Sequence, residues 1–143
     1  QALEPKKRTR DMEPLPKVEP AARLRALVVD DNDDARELVA DLLRTNGFDV
    51  MMATDGSSAL ATIRDQRPDV ALVDLGLPGI DGVGLVQTGR SECPDVKTRF
   101  VALTGYGDAG DRERTRRAGF QGHLVKPASA AAILACVALR DDA

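Results

Sequence analysis

Ala26-Leu27-Val28-Val29-Asp30-Asp31 is the stretch that decides the fold, because Val70-Ala71-Leu72-Val73-Asp74 repeats its pattern. Each is a short apolar run that ends in carboxylate. Continuous apolar runs, rather than alternating ones, mark strands buried on both faces of a parallel sheet. In an open α/β sheet, ligands bind at the carboxyl ends of the strands. Asp30, Asp31 and Asp74 are therefore expected to converge on one acidic pocket. Three like charges repel there unless protons or a cation offset them, and a hard divalent ion, Mg²⁺ or Mn²⁺, suits oxygen ligands.

Two further runs extend the pocket. Phe100-Val101-Ala102-Leu103 ends in the hydroxyl of Thr104, and Phe120-Gln121-Gly122-His123-Leu124-Val125 ends in Lys126-Pro127. Carboxylates, a hydroxyl and an ammonium at successive strand ends suit phosphoryl transfer. Asp74 would be the nucleophile, Lys126 and the metal would neutralise phosphoryl oxygens, and Thr104 would hydrogen-bond one of them.

Between these runs the helical signals are regular. Strands are predicted over 24–29, 48–53, 69–73, 98–103 and 120–125, and helices over 33–45, 57–66, 83–91, 108–118 and 129–139. Asn32 or Asp33 caps the first helix and Gly47 stops it, with Leu38, Leu42 and Leu43 expected on its apolar face. Thr54 or Asp55 caps the second, Pro68 ends it, and Gly119 stops the fourth. Gly84 and Gly89 weaken the third. Five βα units imply parallel strands with right-handed crossovers. The fold class is α/β, a single doubly wound domain.

Composition sets the bounds. The chain has 143 residues and a net charge of −3. Residues 1–23 hold four prolines, six Lys/Arg and four Asp/Glu, and read as a linker or disordered arm before a domain over 24–143. The first residue is Gln1, so a fragment or processed chain is expected. Residues 24–143 carry about −5, which argues against direct nucleic-acid binding. No run is long enough to span a membrane and no signal peptide is visible. Cys93 and Cys136 lack metal-ligand spacing, and a cytoplasmic setting is expected.

On Asp30-Asp31, Asp74, Leu77-Pro78-Gly79-Ile80-Asp81-Gly82, Thr104 and Lys126-Pro127, the sequence resembles the receiver domains of two-component response regulators, from about Leu24 to about Leu139. The resemblance implies a flavodoxin-like sheet in order 2-1-3-4-5. It implies Asp74 as phosphoacceptor, and Mg²⁺ held by Asp31 directly, by Asp30 partly through water, by Asp74 and by the Gly76 carbonyl. It further implies a cis Lys126–Pro127 bond and a switch role for Thr104 and His123, the latter at a position usually aromatic. Many relatives carry a larger side chain at position 76. The alternatives are a helix cap at Asp30 or Asp31, and an ordinary strand residue at His123.

Arg112, Arg114, Arg116 and Arg117 crowd the fourth helix, either as a solvated face or as part of the output surface of the fourth helix, fifth strand and fifth helix. The Gly105-Tyr106-Gly107 loop, the run 116–120 and the segment 123–127 look most like the receiver of a hybrid sensor histidine kinase. A stand-alone regulator is the alternative. Expected partners are a kinase dimerisation and phosphotransfer domain or a histidine phosphotransfer protein, with the parent protein possible at a membrane and no output domain expected after Leu139. The domain would catalyse its own phosphorylation and dephosphorylation. An aspartyl phosphatase and a non-catalytic interaction module are the rival readings; Leu75 and Gly76 stand where a phosphatase needs a second acid.

Overall fold

Apolar strand cores and capped helices alternate along the whole described chain. The computed structural model describes residues 24–77, 79–105 and 109–138, with backbone only for 109–111. The expected arm over 1–23, Pro78, the Tyr106–Gly107 loop, Asp108 and Leu139 lie outside the described residues. The elements run β1 (Arg25–Val29), α1 (Asp33–Thr45), β2 (Asp49–Ala53), α2 (Gly56–Gln66), β3 (Val70–Asp74), α3 (Gly82–Glu92), β4 (Arg99–Thr104), α4 (Ala109–Ala118), β5 (Gly122–Val125) and α5 (Ala130–Ala138).

All five strands are parallel, in the order β2-β1-β3-β4-β5. Alternate residues of each strand face opposite sides. Leu27, Val29, Ala71, Val73, Phe100 and Ala102 pack under α2, α3 and α4. Ala26, Val28, Leu72 and Val101 pack under α1 and α5, against Val39, Leu43, Ile133 and Val137. Truncating one of the fully buried residues, such as Leu72, would cost about 2–5 kcal/mol.

The helix ends follow local chemistry. Asn32 caps α1 by accepting from the Ala35 amide, and Asp55 caps α2 by accepting from the Ser58 amide. The Ser58 amide and hydroxyl, with the Ser57 amide, hold the half-buried Asp55 carboxyl below its usual range. After α1 and α4, Gly47 and Gly119 take left-handed φ values of +92° and +113°. The next residues, Phe48 and Phe120, donate back to Leu43 and Thr115 and close both helices.

Two expectations change. β5 begins at Gly122, because the Phe120 ring is committed to the core, edge-on to Phe100, and the Gln121 side chain receives the Phe100 amide. Leu38 is 72% exposed; the buried stripe of α1 is Arg36, Val39, Ala40 and Leu43. An arginine, Arg36, thus lies on the buried face of α1 and Leu38 does not.

Candidate functional site

Each candidate side chain sits at or just past the carboxyl end of a strand. β1 delivers Asp30 and Asp31, β3 delivers Asp74, β4 delivers Thr104, and β5 delivers Lys126. Asp74 pairs in register with Leu103 and Thr104 with Val125, so the groups leave the sheet at one level. The site lies where the strand order reverses, between β1 and β3.

Carboxylate oxygens of Asp30, Asp31 and Asp74 all lie within 4.8 Å of one another. Asp30 is buried, Asp74 half-buried and Asp31 exposed. Lys126 Nζ stands 3.5 Å from Oδ2 of Asp30 and 3.5 Å from Oδ2 of Asp74. Lys126 pairs with Asp74, and Asp30 shares the ammonium. Burial pushes the Asp30 carboxyl up from its usual range; the Asn32 amide and Lys126 oppose that, and Asp74 adds to it. An all-oxygen donor set with one shared ammonium suits a hard divalent ion better than a soft one.

The surrounding backbone holds these groups in place. The Gly76 amide donates to Asp74 Oδ1 at 3.0 Å, leaving Oδ2 toward Lys126. The Lys126 amide donates to the Thr104 carbonyl at 2.7 Å, and the Lys126–Pro127 bond is cis. Thr104 is 4% exposed. Beside Asp30 and Lys126 opens a mostly apolar groove of about 600 Å³ between α1 and α5, lined by Leu38, Val39, Leu42, Pro127 and Ile133.

His123 faces the other way. Its Nδ1 lies 3.1 Å from the Thr115 hydroxyl on α4, beside a shallow groove that includes Arg112, Glu113 and Arg116. Arg116 and Arg117 both pair with Glu113, so part of the arginine run is engaged within its own helix. Burial pushes the Cys136 thiol up, against the Arg99 charge and the His123 amide.

Two residues escaped sequence reasoning. Thr115 is 1% exposed and reaches β5. Arg36 donates to the Asp30 carbonyl at 3.0 Å and to Asp33 at 2.7 Å. The spacing of Arg36 with Val39, Ala40 and Leu43 would have revealed it, since those positions share one helix face.

The comparisons agree with this fold. The DNA-binding response regulator MtrA of Mycolicibacterium smegmatis is 37% identical over 105 residues, 73% of this chain and 45% of its own. The transcriptional regulatory protein PrrA of Mycobacterium tuberculosis is 36% identical over 113 residues, 79% of this chain and 48% of its own. The chain thus spans about half the length of these relatives. Among solved structures, the chemotaxis protein CheY4 of Vibrio cholerae superposes with a TM-score of 0.77 at 29% identity, covering 82% of this chain and 98% of its own. The receiver domain of the putative response regulator NarL of M. tuberculosis gives 0.74 at 29% identity, with the same coverages of 82% and 98%. None of these four is described as a hybrid kinase. The response regulator receiver domain model matches residues 26–138, and the chain belongs to that family of two-component signalling domains.

Proposed function

We propose that this domain accepts a phosphoryl group from a phosphohistidine onto Asp74. The observation that carries the proposal is the placing of Asp74 beside Asp30, Asp31 and Lys126 at the strand ends. An Asp74 carboxylate oxygen attacks phosphorus in line as the phosphorus–nitrogen bond of the donor breaks, and the imidazole leaves. Lys126 offsets the oxygens' charge and Thr104 donates its hydroxyl to one of them. Asp30, Asp31, Asp74 and the Gly76 carbonyl would hold Mg²⁺ or Mn²⁺, which supplies further positive charge when bound. The new aspartyl phosphate draws Thr104 inward and shifts a two-state equilibrium of the α4, β5 and α5 face, in which His123 takes part.

The names of MtrA and PrrA favour a response regulator acting apart from its kinase over the receiver of a hybrid histidine kinase. The partner is then a kinase phosphotransfer domain or a histidine phosphotransfer protein, and the apolar groove lined by Asp30 and Lys126 offers its helix a seat at the edge of the site. DNA contact, which those names raise, would belong to an effector region rather than to the net-acidic residues 24–143. A cytoplasmic site fits this role; among the described residues no helix is long and apolar enough to cross a membrane.

The test is intact mass after incubation with acetyl phosphate and Mg²⁺, for this chain and for Asp74→Asn. A gain of one phosphoryl group, roughly 80 Da, lost in the variant, is expected. No gain with acetyl phosphate or with a panel of phosphorylated kinases would refute the proposal.

A further inference from the structure

We propose that Arg36 is a positioning residue for the metal site, holding the peptide between Asp30 and Asp31 so that both carboxylates stay directed toward Asp74. This rests on the metal site proposed above.

A guanidinium is costly to bury unless it is paired and hydrogen-bonded. The Arg36 side chain is only 10% exposed and lies on the stripe of α1 that packs against the sheet. Its hydrogen bonds go to the connection after β1 and to the first residue of α1. Nη1 donates to the Asp30 carbonyl, the oxygen of the peptide linking the two acids, and Nη2 donates to Asp33. With those bonds, every polar atom of Asp30 has a partner. Its amide donates to the Ala53 carbonyl, Oδ1 accepts from the Asn32 amide, and Oδ2 faces Lys126. Asp31 is exposed and is carried by the peptide that Arg36 holds. Arg36 also engages Asp33, which stands apart from the three acids that converge, Asp30, Asp31 and Asp74.

Charge and position predict opposite signs when Arg36 is replaced. A cation near a cation site repels the ion, so removing it for charge reasons alone would tighten Mg²⁺ binding. Losing the clamp would loosen the acid pair and weaken binding, by about tenfold or more, as when outer partners of metal ligands are removed.

The experiment is calorimetric titration of Mg²⁺ into the full chain, into Arg36→Met and into Arg36→Lys. Thermal unfolding of each without metal checks the fold. Both variants are expected to bind Mg²⁺ more weakly, about tenfold for Arg36→Met. Arg36→Lys should also fall, because it keeps the charge and loses the forked pair of bonds. If Arg36→Met does not fold, Arg36→Lys decides. Binding as tight as in the parent chain, or tighter, in the folded variants overturns the positioning role alone. A parent chain that takes up no Mg²⁺ overturns the site and this role with it.

Discussion

His123 Nδ1 lies 3.1 Å from Thr115 Oγ1, so a side-chain hydrogen bond joins β5 to α4. The Arg112 carbonyl, 2.9 Å from the Thr115 hydroxyl, can only accept, so when the hydroxyl's single proton goes there the imidazole is the donor in the other bond. The neutral ring is expected as the Nδ1–H tautomer, which the ring nitrogen shifts of a ¹⁵N-labelled chain will show. Thr115→Val removes the acceptor and should cost about 1 kcal/mol, measured by urea unfolding.

Lys126→Met removes the ammonium shared by Asp30 and Asp74. Phosphorylation by acetyl phosphate should slow by roughly 10²–10³, the usual cost of losing a group aimed at developing charge. Calorimetric Mg²⁺ binding should hold or tighten, because the ion gains a site with one competing cation fewer. A fall in both would mean that the lysine serves the fold rather than the reaction.

Asp30 is 2% exposed and burial holds its carboxyl above the usual range, so the folded state binds this proton more tightly than the unfolded chain does. Its contribution to the stability of the metal-free protein is full below the unfolded value and is lost as pH rises through the raised folded value. Asp30→Asn should therefore stabilise the metal-free chain at neutral pH, by about 1 kcal/mol or roughly 4 °C in Tm. The gain should vanish in acid and the stabilisation by Mg²⁺ should be lost. Calorimetric scans at several pH values with and without Mg²⁺ check all three.

Gly76 and Gly82 flank one loop and should respond differently to a side chain. A Cβ at Gly76 would lie 3.6 Å from Asp74 Oδ1, an ordinary contact. Gly76→Met should fold normally and lengthen the life of the phosphorylated state, about tenfold per 1.4 kcal/mol of added barrier, by screening Asp74 from water. A Cβ at Gly82 would meet Leu75 Cα at 2.9 Å and the Asp74 carbonyl at 3.0 Å. Gly82→Ala should cost about 1–3 kcal/mol and displace Asp74, seen as a lower Tm and slower phosphorylation.

The strand ends were legible because carboxylates interrupt continuous apolar runs at Val29–Asp30 and Val73–Asp74, a pattern that periodicity alone exposes. Caps at Asn32 and Asp55 and stops at Gly47 and Gly119 were readable because their chemistry is local. Leu38 and Arg36 were not: the leucine spacing of α1 points to Leu38 as an inside residue, whereas the helix phase is set by the buried Val39, Ala40 and Leu43. Nor was the division of Lys126 between two acids, or the bond from Thr115 to His123, since each depends on neighbours 96 and 8 residues away in sequence. The parent protein was the least legible part, because short loop motifs carry little physical constraint.

The parallel register has an evolutionary consequence. No two strands that supply the reacting groups are joined by a hairpin; each returns through a helix, so the outer faces of those helices can change separately. Sequence drift can alter which kinase or which output surface is engaged, one helix face at a time, while the chemistry stays anchored at the strand ends. A lineage can thus duplicate this domain and rewire the copies without relearning how to hold a phosphate.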